Sequence, residues 1–437
     1  MRRLLATLLA LAATVAWAVP AAAFDAAELR STLAREMRLA SPASSAYVRD
    51  LDSGRELFAL RASSARVPAS VEKLYTTATA LLRLGPGTTL DTKAVSDIAV
   101  DADGVLRGDL VLVGGGDPFF GDEAAARLAR AVRAAGIARI DGAIVGDESG
   151  FDGLRSGCCG RYDPDLGGVL SALAYDGGMF AGRAQLDAAR FAAARFAEQL
   201  RAAGVRSTRA ARAGSAPDGA VVVAVAPSLD VRTLIRFINV PSNNFAAEML
   251  LKTLGARYGG RGSTGGGAVV VRATLDDIGL RPRVADGSGL SRADRTTARD
   301  VVGLLARMDH PDIEGGFRSS LAIAGQTGTV RRRMRAGAAF RRCRLKTGTL
   351  RSVSALAGYC RTRGGHDVAF ALLMNSVWSV ASAHAIQDRI AAAIARLDGD
   401  PGPAPPAGDL APAPPAGLPP GGAPAPPSGG AGVPSRP

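Results

Sequence analysis

Residues 68–84 read PASVEKLYTTATALLRL. From Val71 to Leu84 the run is strongly apolar and holds neither Pro nor Gly, which predicts a helix entered near Pro68-Ala69-Ser70, because proline's fixed φ suits a first turn. Positions i and i+3 share a helix face, so Lys73 comes within reach of the Ser70 hydroxyl. A helix this apolar is buried, and an unpartnered lysine inside it is costly. A lysine kept neutral by burial can take the serine proton and leave an alkoxide nucleophile. Arginine stays charged and cannot do this. Glu72 lies about 100° further round and points elsewhere. Alone, S-x-x-K is a weak signal, equally readable as a solvated Ser and Lys.

Two further stretches carry matching chemistry. Ser242-Asn243-Asn244 opens a helical stretch that runs through Phe245 to Leu254. On its own it reads as an ordinary helix N-cap. In a site, Ser242 would pass a proton and the Asn244 amide would fix Lys73 and a substrate amide. Lys346-Thr347-Gly348-Thr349 falls on the first strand of a hairpin, 341–350 with 353–361, turned at Arg351-Ser352. A cation, hydroxyls and a glycine along a strand edge suit an extended peptide ending in a carboxylate. Lys346 and Thr347 would bind the carboxylate, and Gly348 would let the peptide backbone approach. The N–H groups of Ser70 and Thr349 would make an oxyanion hole. The same register sets Cys343 opposite Cys360, where a cross-strand disulfide is geometrically plausible. For the adjacent Cys158 and Cys159, pairing elsewhere and pairing between chains both stay open.

Composition sharpens these readings. The chain has 437 residues, with 53 Lys and Arg against 40 Asp and Glu, a net charge of +13. Only Lys73, Lys93, Lys252 and Lys346 are lysine. Were cations placed indifferently, both motif positions would be lysine by chance roughly 0.6% of the time. The length fits about two to three domains. Three histidines and four cysteines argue against a dense metal site, and no metal or cofactor is expected. Aromatic residues are 5%, which with export makes nucleic acid an improbable partner. The net charge fits anionic wall polymers and an arginine-rich genome equally well.

The three motifs in this order resemble the active-site set of penicillin-binding proteins and class A β-lactamases. About 170 residues part Lys73 from Ser242, where a simple β-lactamase has far fewer. Around them stand Gly114-Gly-Gly-Asp-Pro118, Asp286-Gly-Ser-Gly-Leu-Ser-Arg292, Ala324-Gly325, Gly328-Thr329 and Val353-Ser-Ala-Leu-Ala-Gly-Tyr359. Together they look like the class C low-molecular-mass penicillin-binding proteins, the D-Ala-D-Ala carboxypeptidase/endopeptidases of peptidase family S13, over residues 25–398. The resemblance implies a multi-domain α/β (α+β) protein. A transpeptidase-like domain, 24–86 with 231–398, holds a central antiparallel sheet flanked by helices, and 87–230 forms an inserted α+β region. It implies Ser70 as acylated nucleophile, Lys73 as base, Ser242 and Asn244 as relay and orienter, and Lys346, Thr347, Gly348 and Thr349 for substrate. An acidic residue near the cleft mouth is also implied, with Asp147 the candidate. The chain departs from the family pattern at Asn243, often an acid, and at Asp294, often Asn.

The implied activity is a periplasmic serine DD-peptidase acting on peptidoglycan stem peptides and inhibited by β-lactams. A catalytically idle wall-binding protein is the alternative from another class, and a serine β-lactamase a weaker one. Residues 1–23 read as a secretory signal peptide, with Arg2 and Arg3, an apolar stretch and Ala21-Ala22-Ala23. No stable membrane span is expected in the mature chain. Residues 399–437 hold 14 of the 25 prolines and read as an extended, disordered tail. Residues 259–267 read as a Gly-rich turn before a helix from Ala268.

Overall fold

The computed structural model describes residues 24–157, 162–309 and 316–399. The expected signal peptide at 1–23, nearly all of the expected tail, and Cys158 and Cys159 lie outside them. Six antiparallel strands form the main sheet, in the order Ala322–Ile323, Cys343–Leu350, Val353–Arg361, Asp367–Asn375, Ser44–Asp50, Glu56–Leu60. The two ends of the chain therefore meet in one sheet, Ser44 pairing with Met374 and Asp50 with Val368. Its central strands are near-continuous apolar runs because helices cover both faces. Leu29 and Leu33 of the Ala26–Arg38 helix and Ile390 and Ile394 of the Val380–Arg396 helix pack on one face against Leu356, Phe370 and Leu372. Leu74 and Ala78 of the Lys73–Leu84 helix, with Val301 and Leu305 of the Ala298–Met308 helix, share the other core with Ala357, Tyr359 and Leu373.

The hairpin has the expected register: Leu350 faces Val353, Cys343 faces Cys360, and the two cysteines are bonded. A separate core forms among residues 94–226. There a five-stranded sheet, led from its middle by Leu110–Val113, is covered by the helices Asp122–Ala134 and Ala188–Ala202. Among the described residues no helix is long and apolar enough to cross a membrane.

Several elements differ from the sequence reading. Helices at Ala26–Arg38 and Ala298–Met308 were not anticipated. Their caps, Asp25 and Thr297, each accept backbone N–H groups of the first turn. The segment that carries Ser70 is a 3-10 turn, Ala69–Glu72, and the α-helix begins at Lys73. The stretch after Val231 breaks into Val231–Asn239 and Asn244–Tyr258. The helix expected from Ala268 starts at Thr264, capped by Ser263. Its glycines are helical, and a Cβ on Gly267 would fall 2.1 Å from the Leu251 carbonyl. Glycine there lets the Thr264–Asp276 helix lie against Asn244–Tyr258.

Candidate active site

Ser70 sits half-buried in the 3-10 turn, after Ala69, whose φ of +49° lies in the left-handed region that alanine rarely occupies. Lys73 is fully buried beneath it. Its Nζ is 2.8 Å from Ser70 Oγ, 2.6 Å from Asn244 Oδ1 and 2.5 Å from the Ser288 carbonyl. Burial pushes Lys73 down to about 7, against the pull of Asp286, Glu248, Glu72 and Asp294. The lysine is thus available as a neutral base near physiological pH.

The second motif divides its work. Asn243 is the N-cap, accepting from Ala246 N–H at 2.9 Å, and so leaves its neighbours free. Ser242, at φ +65°, accepts from Lys346 Nζ at 2.8 Å. Asn244 presents Oδ1 to Lys73 while Nδ2 donates to the Asp165 carbonyl at 2.7 Å. The departure at Asn243 is therefore harmless, since Asn and Asp cap helices about equally well.

Lys346 is also fully buried, bonded to Ser242 Oγ and the Thr347 carbonyl, both at 2.8 Å. Burial, then the charge of Lys73, holds it well below the usual lysine range. Thr347 Oγ1 donates to Thr329 Oγ1 at 2.7 Å, which brings the Gly328–Val330 turn to the cleft. The neighbouring strand Ala322–Ile323 pairs only with Leu345 and Arg344. Lys346–Leu350 thus presents an edge unpaired by any other described strand, with Thr349 exposed on it.

The structure adds a reason for one expected residue and moves another away from the cleft. A Cβ on Gly348 would fall 2.6 Å from the Pro68 carbonyl and 3.0 Å from Ser70 N. The glycine lets the strand press on the turn that carries Ser70 and keeps the space beside the Ser70 N–H open. Asp147 ends the strand Ile144–Asp147, deep in the inserted region, with one carboxylate oxygen accepting from Ser149 N–H and the other from Ala216 N–H. It is 4% exposed and braces two loops there. No described hydrogen bond or ion pair joins it to Ser70, Lys73, Ser242, Asn244 or Lys346. Its inserted region reaches the cleft through Asp165 instead.

Sequence reasoning missed the group beneath Lys73. Glu248 Oε1 accepts from Gly287 and Ser288 N–H, both at 2.8 Å, and Asp286 accepts from Gly289 and Ser291 N–H, both at 2.7 Å. Glu72 is fully buried with neither oxygen hydrogen-bonded. Burial, reinforced by Asp294, Asp286 and Glu248, raises it well above the carboxylate range. Burial and the Asp286 charge push Asp294 up to about 9, which favours its neutral form. Its departure from Asn keeps the same shape and charge. The missed signal was Glu248 itself, a carboxylate one turn after Asn244 in an otherwise apolar run.

Among the described residues, the one His/Asp set close enough to share an ion is Asp50, Asp52 and His366. It lies toward the end of the sheet opposite the Arg351-Ser352 turn, away from this cleft.

The model of the D-Ala-D-Ala carboxypeptidase 3 (S13) family matches residues 26–159 and 169–397. The D-alanyl-D-alanine carboxypeptidase of Actinomadura sp. (strain R39) is 29% identical over 493 residues, covering 91% of each chain. Penicillin binding protein 4 (dacB) from Haemophilus influenzae shares the fold, with a TM-score of 0.69 at 20% identity over 82% of this chain and 97% of that one. So does the penicillin G-acylated endopeptidase Bd3459 from Bdellovibrio bacteriovorus, with a TM-score of 0.52 at 17% identity, 78% of this chain and 90% of that one.

Proposed function

We propose that Ser70 is the nucleophile of a serine D-Ala-D-Ala peptidase, the activity of the D-Ala-D-Ala carboxypeptidase 3 (S13) family, to which this chain belongs. The observation that carries the reading is the meeting of Lys73 Nζ with Ser70 Oγ at 2.8 Å, in a cleft shared with Asn244, Ser242 and Lys346. Neutral Lys73 takes the Ser70 proton as Oγ attacks the carbonyl of the penultimate D-Ala. The developing oxyanion is met by the N–H groups of Ser70 and Thr349. The leaving amine is protonated through Ser242, which Lys346 holds, and water then releases the trimmed peptide. Lys346, with Thr347 and Thr349, receives the terminal carboxylate. An empty Lys346 sits well below its usual range, so an arriving carboxylate restores its charge. The peptide lies along the open edge at Lys346–Leu350.

The substrate is a peptidoglycan stem peptide, and the D-Ala–diaminopimelate cross-link is a second bond of the same chemistry. β-Lactams acylate Ser70, as penicillin G acylates the Bdellovibrio endopeptidase. The chain works in the periplasm, exported by residues 1–23. The separate core among residues 94–226 supports boundaries at 86/87 and 230/231 for the inserted region. Labelling with a fluorescent penicillin tests the reading. Label on the folded protein that disappears in Ser70→Ala is expected. A folded wild type that takes no label would refute the nucleophile. Peptide release from purified muropeptides then separates carboxypeptidase from endopeptidase action.

A further inference from the structure

The three groups around Lys73 Nζ differ in what they can do with a proton. Asn244 Oδ1 and the Ser288 carbonyl only accept, whereas the Ser70 hydroxyl accepts and donates. The orientation of the Asn244 amide is fixed by its other end, where Nδ2 donates to the Asp165 carbonyl. A neutral amine has two hydrogens and one lone pair. Two obligate acceptors, at 2.6 Å and 2.5 Å, take both hydrogens. The lone pair is left facing Ser70 Oγ at 2.8 Å, which can donate its hydrogen to it. Without the second acceptor, the amine is free to rotate and to spend its lone pair elsewhere.

That second acceptor is a backbone carbonyl, and it is built into place. Glu248 holds the Gly287 and Ser288 N–H groups through Oε1. Asp286 closes the loop onto Gly289 and Ser291. Gly289, at φ +79°, is pressed against the nucleophile turn so closely that a Cβ would fall 2.0 Å from the Ala69 carbonyl. Glu248 stands four residues after Asn244 on one helix. That helix supplies one acceptor directly and fixes the other through its carboxylate.

We propose that Glu248 and Asp286 are positioning residues for acylation: through residues 286–291 they fix the Ser288 carbonyl as second acceptor for Lys73 and so aim the amine lone pair at Ser70. The inference rests on the reading of Ser70 as nucleophile and Lys73 as base. It gives the Asp286-Gly-Ser-Gly-Leu-Ser-Arg292 stretch a task in the reaction.

The test is the rate constant for acylation by a fluorescent penicillin from pH 5.5 to 9, with thermal unfolding of each variant. The titratable groups facing Lys73 are Glu72, Glu248, Asp286, Asp294 and Lys346. Glu248→Ala removes the acceptor and is expected to slow acylation more than about tenfold at every pH. Glu248→Gln keeps an acceptor oxygen without the charge. It is expected to stay within about threefold of wild type on the plateau, with its midpoint moved to lower pH because a carboxylate that favours the Lys73 ammonium is gone. Equal rates for the Ala and Gln variants, both fast or both slow, would overturn the proposal. Should Glu248→Ala not fold, Asp286→Asn decides: about tenfold slower is expected, and a wild-type rate overturns it. Wild type that takes no label on Ser70 counts instead against the underlying reading.

Discussion

Raising pH from 5.5 to 9 on the intact protein probes the base directly. Burial brings Lys73 from 10.5 to about 7. A lysine at its ordinary value would be neutral in only about one molecule in 3,000 at pH 7, whereas this one is neutral in about half. The neutral fraction falls to about one-tenth at pH 6 and reaches about nine-tenths at pH 8. The acylation rate should therefore climb about tenfold per unit below pH 7 and level off near pH 8. Glu248, raised to about 7 by burial and by Asp286, titrates in the same window. Its ionisation favours the Lys73 ammonium, so the observed midpoint belongs to the pair and the rise is broadened. Stopped-flow or quenched-gel measurement with a fluorescent penicillin, over times short against its hydrolysis, gives the profile. A flat rate across this range, or a rise that starts only above pH 9, would refute a neutral Lys73 as the base.

Three other perturbations follow from the same geometry. Lys73→Met should abolish acylation yet raise stability. The depressed pKa makes the buried ammonium cost about 5 kcal/mol below pH 7, and losing hydrogen bonds to Asn244 and Ser288 returns about 2 kcal/mol of that. Because the folded value is the lower one, stability rises between pH 7 and 10.5, so the advantage of Met over Lys in denaturant unfolding should shrink from pH 6 to pH 9. Gly348→Ala forces a Cβ against Pro68 and Ser70 and should slow acylation about a hundredfold in folded protein; wild-type rates would show that the strand does not set the nucleophile turn. Lys252→Met leaves the part-buried Asp152 without its partner and should lower stability by about 1–3 kcal/mol. Asp152→Asn added to it should recover part of that loss, and urea unfolding of the single and double variants checks both.

Lys252 also shows what the rarity of lysine meant. Lys73, Lys346 and Lys252 are all fully buried, but Lys252 is bonded to Asp152 and the Leu154 carbonyl, clamping the helix Asn244–Tyr258 to the 152–154 loop. Three of the four lysines stand where a cation is buried, Lys93 being exposed, because a compact ammonium on a flexible stem fits where a guanidinium fork does not. Chemistry is one reason for such burial, and docking a loop is another. Composition found the buried cations without separating their tasks.

The hairpin register was legible because it is local: a two-residue turn fixes Cys343 opposite Cys360. The meeting of Ser70 and Lys73 was legible because S-x-x-K brings its own partners together in one turn. What depends on contacts across the chain was not. Gly348 shows the same glycine whether it faces a substrate or the Pro68 carbonyl, and Asp147 shows the same carboxylate whether it faces a cleft or two backbone N–H groups. The helix at Thr264 was hidden because its glycines read as a turn, while their use is to let a neighbouring helix approach.

The Asn/Asp departures connect these levels. Beneath the nucleophile, Glu72, Glu248, Asp286 and Asp294 crowd around one lysine, and four buried anions there would hold Lys73 protonated and useless as a base. Burial and mutual repulsion raise Glu72 and Asp294 above the carboxylate range and so favour their neutral forms. A protonated Asp294 offers what Asn would, an acceptor oxygen taken by the Ala285 N–H and no charge. The cluster therefore tolerates carboxyl groups because its own density neutralises them. Ionising Asp294 would raise the Lys73 pKa and slow acylation at neutral pH, so Asp294→Asn should leave the pH–rate midpoint near wild type. A midpoint that moves down by a full unit would show that Asp294 carries its charge, and that the density of the cluster does not neutralise it.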